Sequence, residues 1–266
     1  MKFMHVIRLG AAMLMALLVA RAASAQPLTT DDLVSRGTVN IGIIMDTPPY
    51  GFLDANQQPD GFDVKVAGLL AQYLGVKLNI VPLVGANRIP FLLTGKVDMV
   101  VASLGITPDR AKQVAFSSPY MLADVALYAP KDKTIKSVGD LNGLNVAVTR
   151  GSTQQTILQR ETDGKATFSQ FDENSGLVQA LLNKQVDALA VAAAFGDAAF
   201  AANPQANIER KFTVFTQGNG VGLRKEDTEL LQWVNAFVYY IKSDGELNDL
   251  YMKYWKTPMP ADMPTF

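Results

Sequence analysis

Short runs of β-branched and apolar residues alternate along this chain with segments of helical periodicity, and short turns separate them. Val39–Met45 is one such apolar run, and Phe62–Leu74 carries its apolar side chains on one helical face. Strands that alternate with helices over short loops indicate α/β sheets with right-handed crossovers. The alternation breaks near Val125–Pro130 and restarts at Leu144–Thr149, which predicts two similar α/β lobes.

The first 25 residues have the composition of an export signal. Lys2 and Arg8 give a basic start, an apolar run covers residues 9–20, and Ala23-Ser24-Ala25 fits the small-x-small cleavage pattern. The run is shorter than the ~20 residues that a membrane span needs. We therefore predict cleavage after Ala25 and a periplasmic location.

The composition excludes several classes of function. With 24 basic and 25 acidic residues the net charge is -1, so the chain lacks the basic excess of a nucleic-acid-binding protein. It has no cysteine, and its single histidine, His5, lies in the predicted signal. A mature chain without Cys and His cannot build a disulfide, a thiol nucleophile, a Ser-His-Asp triad or a His-bound zinc site. We predict no catalytic residues, metal or cofactor.

A series of short motifs follows in a fixed order from Val39 to Trp255. The motifs are Asp46–Asp54 (DTPPYGFLD), Gly61–Val64 (GFDV), Asn87–Pro90 (NRIP), Leu93–Asp98 (LTGKVD), Ile106–Arg110 (ITPDR), Phe116–Tyr120 (FSSPY), Asp140–Gly143 (DLNG) and Val148–Ser152 (VTRGS). Each motif alone is weak, but their order and spacing together resemble solute-binding protein family 3 of the amino-acid ABC importers.

The resemblance implies a type II periplasmic-binding-protein fold. Its two lobes would each hold a mainly parallel sheet flanked by helices. Lobe 1 would comprise residues 26–128 with 218–266, and lobe 2 residues 129–217. Two hinge strands, near Ala126–Ala129 and Thr213–Gln217, would join the lobes, and a ligand would bind in the cleft that closes by hinge motion.

Arg110 is the candidate for gripping a ligand carboxylate. A guanidinium can donate two parallel charge-assisted hydrogen bonds to a carboxylate, which a lysine cannot copy. The resemblance implies that this arginine binds the ligand's α-carboxylate. Ser103 would supply a hydroxyl and Gly105 a backbone amide to the same group. The alternative from the residues alone is a surface arginine that pairs with Asp109 or with another acid of the helix.

The turn Gly151-Ser152-Thr153 joins a predicted strand to a predicted helix. The free amides of a helix start favour an anion, and the resemblance brings these amides onto the same carboxylate from the second lobe. A plain N-cap by Ser152 or Thr153 is the alternative, and the two roles are compatible.

Four further positions have weaker functional interpretations. The resemblance implies that Arg88 faces the ligand side chain, although a solvated arginine at a helix start fits the sequence equally well. Tyr50 or Phe52 could form an apolar wall over the ligand, or could anchor the proline-containing loop. Lys65 stands where the family has an acid at the start of a helix, a change expected to affect local stability more than binding.

The second lobe departs from the family at the position that would bind a ligand ammonium. The family has an aspartate five residues after the one matched by Asp187, and this chain has Ala192 there. A buried ammonium without a partner is costly. Asp46, Asp197 and Glu173 are weak substitutes. The ligand is therefore an acidic amino acid, a polar amino acid held unusually, or an organic acid without an amine.

Two functions compete on this evidence. The first is a non-enzymatic periplasmic receptor, a monomer that delivers a small carboxylate ligand to a membrane ABC permease. The second is a periplasmic cyclohexadienyl or arogenate dehydratase-like enzyme, which needs a general acid in the cleft. The acid-free segment Ala190–Phe195 argues against the enzyme. A ligand-sensing domain of a larger receptor is the less favoured third possibility.

Overall fold

The computed structural model describes residues 26–264, and the predicted export signal lies outside the described residues. The strands are β1 (Thr38–Ile44), β2 (Phe52–Leu53), β3 (Pro59–Asp60), β4 (Lys77–Leu83), β5 (Met99–Val100), β6 (Ala115–Phe116), β7 (Met121–Pro130), β8 (Asn145–Thr149), β9 (Thr167–Phe171), β10 (Ala188–Ala192), β11 (Ile208–Asn219) and β12 (Gly222–Leu223). The helices are α1 (Thr30–Arg36), α2 (Phe62–Leu74), α3 (Arg88–Leu93), α4 (Pro108–Ala111), α5 (Thr153–Glu161), α6 (Asn174–Leu182), α7 (Ala193–Ala201), α8 (Thr228–Ser243) and α9 (Glu246–Trp255).

The first lobe is built on a sheet with the strand order β4-β1-β5-β12-β6. β1 runs parallel to β4 and β5, whereas β12 pairs antiparallel with β5 and β6. Val39, Ile41 and Ile43 of β1 are fully buried, because a central parallel strand is covered on its faces by helices. The described residues include no helix with the length and apolar character of a membrane span.

The second lobe is built on a sheet with the strand order β11-β7-β10-β8-β9. β8 is parallel to β9 and β10, and β7 is antiparallel to β10 and β11. Each sheet combines parallel and antiparallel strands and is flanked by helices, which confirms the predicted α/β architecture.

Two long strands, β7 and β11, connect the lobes. They form a long antiparallel ladder that begins where Met121 pairs with Asn219 and is interrupted by two shifts of register, between Arg210 and Phe212 and between Thr213 and Phe215. The structure corrects the expected position of the first crossing, because Val125–Ala192 through Tyr128–Leu189 are pairs within the second sheet. The crossing therefore lies before Val125, not at Ala126–Ala129.

The C-terminal helices complete the core of the first lobe. α8 and α9 are amphipathic, and their apolar faces pack beside α2. The ring of Phe62, the first residue of α2, lies with its centroid 4.3 Å from that of Trp255 and 5.3 Å from that of Tyr251. This aromatic cluster packs α9 against the lobe that contains β1.

Candidate functional site

A cavity of about 70 Å³ lies between the two sheets. It is bounded by the ends of parallel strands from both lobes, where ligands bind in open α/β sheets. Residues at or just after the ends of β1, β4, β5, β8 and β10 reach it: Ile44, Gly85, Ser103, Thr149 and Ala192. The two connecting strands contribute its remaining wall through Ala123, Val125, Gln217 and Asn219.

Arg88 supplies the positive charge of this cavity. Its side chain is buried, and it donates hydrogen bonds to the carbonyl oxygens of Gly85, Ala102 and Ser103 at 2.9, 3.2 and 3.2 Å. Burial, and then the nearby charge of Arg110, lower the pKa of Arg88 to about 9. The carbonyl oxygens fix the position of the guanidinium, and its charge interacts with the carboxylate of Asp63 in the same cavity.

Arg110 lies beside the cavity and bridges the lobes. Its Nη1 donates to the Gly105 carbonyl at 2.8 Å in the first lobe, and its Nη2 donates to the Gly151 carbonyl at 2.9 Å in the second. It lines a neighbouring groove that shares Gly85, Arg88 and Thr153 with the cavity. Burial lowers its pKa to about 10. The alternative of a surface pair with Asp109 is not what the structure has, since Asp109 pairs with Lys112 at 2.8 Å.

Asp63 is a cavity residue that the sequence analysis did not select. Ser103 Oγ and the Tyr120 hydroxyl each donate to its carboxylate at 2.8 Å. Burial raises the pKa of Asp63 to about 6, although these two donors and the charge of Arg88 act in the opposite direction. The signal was present, because Asp63 belongs to the motif Gly61–Val64 that contributed to the family resemblance.

The turn before α5 presents a hydroxyl-rich edge to the cavity. Ser152 and Thr153 are both buried and line it. Ser152 also caps the helix, because its hydroxyl accepts from the Gln155 amide at 3.2 Å. The Gly151 amide donates to Gln155 Oε1 and the Ser152 amide to the Thr149 carbonyl, so these two amides are engaged within the turn.

Tyr50 and Phe52 are close together in the chain, but only Tyr50 lines the cavity. Tyr50 is buried, lines the cavity and packs its ring 5.7 Å from that of Trp255. Phe52 is not among the residues that line the cavity, and its backbone pairs with Asp60 in the β2–β3 hairpin. Of the two residues considered for an apolar wall, the structure therefore favours Tyr50 over Phe52. On the same hairpin, Asp60 forms an ion pair with Lys65 at 3.1 Å.

The arrangement is a closed cleft with one buried arginine and polar groups from both lobes, which suits a small anionic ligand. A model of the bacterial extracellular solute-binding proteins, family 3, matches residues 39–257. The chain belongs to this family.

Individual relatives agree with the family assignment. ABC transporter arginine-binding protein 1 of Escherichia coli K12 is 29% identical over 216 residues, which cover 78% of this chain and 86% of that protein. A solute receptor for L-cysteine of Neisseria gonorrhoeae superposes with a TM-score of 0.80 at 31% identity, covering 85% and 93% of the two chains. An ancestral amino-acid-binding protein, a precursor of cyclohexadienyl dehydratase, superposes with a TM-score of 0.76 at 35% identity, covering 85% and 98%.

The three proposed substitutes for the missing carboxylate do not line the cavity of this solute-binding protein. Asp46 accepts from the Asn174 amide at 2.7 Å, and Asp197 accepts from the Tyr128 hydroxyl at 2.6 Å. Glu173 is exposed in the turn before α6. Among the described residues that line the cavity, Asp63 is the one acid and Arg88 the one base.

Asn174 joins the lobes of this solute-binding protein at the cavity wall. Its Nδ2 donates to Thr47 Oγ1 of the first lobe at 2.7 Å, and its Oδ1 accepts from Thr149 Oγ1 of the second at 2.5 Å. With the contact of Asp46 to its amide, Asn174 fastens the first lobe to the start of α6. The sequence analysis missed it because polar residues at helix starts are common caps.

Replacing Asn174 with Ala is expected to weaken ligand binding about tenfold. The change removes two buried hydrogen bonds, each worth roughly 1 kcal/mol, and Asn174 makes one of them only when the lobes meet. Titration calorimetry measures the affinity, and small-angle scattering the share of closed molecules. Asn203→Ala, which removes a contact within the second lobe, is the control. Equal affinities in the two variants would contradict a closing role for Asn174.

Proposed function

We propose that this protein is the substrate-binding component of an ABC importer. It captures an amino acid or a related small carboxylate between its two lobes and delivers it to a membrane permease. The observation that carries the proposal is the closed cavity with Arg88 on one wall and the Ser152–Thr153 turn on the opposite lobe. The names of the relatives, which bind arginine or cysteine, support the same class of ligand.

The carboxylate of the ligand binds where the cavity meets the neighbouring groove. Arg110 lies there with Gly105 and Gly151, and its guanidinium has five donors of which two meet those carbonyl oxygens. Ser103 and Thr153 complete the polar contacts from the two lobes, and Tyr50 covers the apolar part of the ligand. Because the donors come from both lobes, a bound anion stabilises the closed state.

The protein acts in the periplasm as a monomer after removal of residues 1–25. The basic start, the short apolar run and Ala23-Ser24-Ala25 support export. N-terminal sequencing of the exported protein is expected to begin at Gln26. A sequence that begins at Met1 would contradict cleavage, and a sedimentation mass twice that of one chain would contradict the monomer.

A screen of thermal stability tests the proposed function. Amino acids, hydroxy acids and dicarboxylates are added singly at 1,000 times a micromolar dissociation constant, where a ligand of the native state contributes about 4 kcal/mol. At least one carboxylate is expected to raise the melting temperature by several degrees. An absence of any shift across all three classes, in protein shown to be folded by circular dichroism, would contradict the proposal.

The enzyme alternative is tested directly. The dehydratase reaction needs a general acid in the cleft, and the described cavity has one acid, Asp63, which already accepts from Ser103 and Tyr120. The similarity to a dehydratase precursor is the observation in favour of the enzyme. We expect no phenylpyruvate when the protein is incubated with prephenate. Turnover that the variant Asp63→Asn abolishes would establish the enzyme instead.

A further inference from the structure

Two amide side chains on the floor of the cavity have unsatisfied polar atoms. Gln217 Oε1 and both Asn219 amide atoms, Oδ1 and Nδ2, are buried without a hydrogen-bond partner. Asn219 is fully buried, and both residues line the cavity. Leaving one buried polar group unpaired costs about 1–3 kcal/mol, so three such atoms in one place point to a ligand group that pairs with them.

The backbone holds these amides in place. Gln217 and Asn219 are alternate residues of β11 and therefore share one face of the strand. The Asn219 carbonyl accepts from the Tyr120 amide at 3.0 Å, which fixes the end of the strand. A Cβ on Gly105 would lie 2.2 Å from Gln217 Oε1, so the glycine makes room for the Gln217 amide. The two amides are thus supported by the hinge strands and the loop after β5.

The amide pair offers two acceptors, Gln217 Oε1 and Asn219 Oδ1, and one donor, Asn219 Nδ2. A hydroxyl accepts from Asn219 Nδ2 and donates its proton to one of the two oxygen atoms. An ammonium donates to both oxygen atoms and leaves Asn219 Nδ2 unpaired. Either group satisfies two of the three atoms, so the charges around the cavity decide between them.

The charges around the cavity favour the hydroxyl. The carboxylate of Asp63 already interacts with the charge of Arg88 and accepts hydrogen bonds from Ser103 and Tyr120. Ala192 places a methyl group on the wall where the family resemblance leads one to expect a carboxylate. An ammonium buried here would have no carboxylate of its own, whereas an uncharged hydroxyl needs none.

We propose that Gln217 and Asn219 select small carboxylates that carry a neutral hydroxyl in place of the α-ammonium, that is, short 2-hydroxy acids. This inference rests on the proposed function, since it names the ligand class of the same cleft. Arg110 and Arg88 bind the carboxylate end, and the amide pair binds the hydroxyl end.

Matched pairs of ligands test the selection by titration calorimetry at pH 7. The pairs are L-lactate with L-alanine, L-malate with L-aspartate, and L-2-hydroxyglutarate with L-glutamate. In the pair that binds most tightly, the hydroxy acid is expected to bind at least tenfold more tightly than the amino acid. Equal binding, or tighter binding of the amino acid, overturns the inference and leaves the proposed function standing. Failure of all six compounds and of the wider carboxylate screen would overturn the proposed function itself.

Three variants connect the selection to the named residues. Asn219→Leu is expected to reduce the preference for the hydroxy acid at least fivefold, and Ala192→Asp to shift it at least tenfold toward the amino acid. Gln58→Leu, which changes an exposed amide on the β2–β3 hairpin, is expected to leave the ratio unchanged. Melting curves show which variants fold, and Gln217→Leu replaces Asn219→Leu if the latter does not. If a folded cavity variant keeps the original ratio of hydroxy-acid to amino-acid affinity, the proposed role of the amide pair is overturned.

Discussion

Replacing Arg110 with Ala is expected to weaken ligand binding at least a hundredfold. The variant loses a bidentate partner of the carboxylate, and a buried charged group left unpaired costs about 3 kcal/mol. It also loses the contact between the Arg110 guanidinium and the Gly151 carbonyl, which joins the lobes in the closed state. Titration calorimetry with the tightest-binding carboxylate of the thermal screen measures the change.

Two further variants make the Arg110 result specific. Arg110→Lys keeps the positive charge but not the paired donors, so most of the hundredfold loss is expected to remain. Arg160→Ala removes an exposed arginine from the same outer groove and is expected to leave the affinity unchanged. An Arg110→Ala protein that binds as tightly as the Arg160→Ala protein would contradict the proposed carboxylate site.

The Asp63→Asn variant is expected to remove a pH dependence of stability. The pKa of Asp63 is raised to about 6 in the folded protein, chiefly by burial, against an ordinary value of 3.8. A carboxyl with a raised pKa stabilises the fold at pH values below its unfolded pKa, and this contribution is lost as the pH rises through the folded pKa. Between pH 4 and pH 7 the original protein should therefore lose about 2 kcal/mol of unfolding free energy relative to the variant.

Urea unfolding at pH 4 and pH 7 measures this difference. The control, Asp132→Asn, changes an exposed carboxylate of the second lobe and is expected to preserve the pH dependence of the original protein. If the unfolding free energies of Asp63→Asn and Asp132→Asn change by the same amount between pH 4 and pH 7, the buried Asp63 carboxylate does not titrate in the range that burial implies.

The elements that bury one apolar face were readable from the sequence. Phe62–Leu74 was predicted with the bounds that α2 has, because its apolar spacing and the following glycine agree. The strand-like residues of Thr167–Phe171 and the amphipathic spacing of Glu246–Trp255 likewise predict β9 and α9 with the bounds they have. The apolar run Val97–Ala102 predicts a longer strand than β5, which is Met99–Val100, although the amides of Asp98 and Val101 still donate to carbonyl oxygens of β1.

The candidate site was readable only where a motif and a charge coincide. Arg110 and Arg88 stood out because each lies in a motif of the family resemblance and carries a guanidinium that can bind a carboxylate. Gln217 and Asn219 carry no charge, and they lie at and just beyond the end of the predicted hinge strand Thr213–Gln217, so only their burial without partners distinguishes them. The crossing point of the hinge also depends on which sheet a strand pairs with, and hydrophobic periodicity does not contain that information.

The aromatic cluster of Phe62, Tyr251 and Trp255 has a consequence for the order in which the lobes form. The first lobe needs β12, α8 and α9, which are made last, whereas the second lobe is one uninterrupted stretch. A nascent chain can therefore close its second lobe while the first still exposes the apolar side of α2. The first lobe is therefore completed only after α9 has been synthesised.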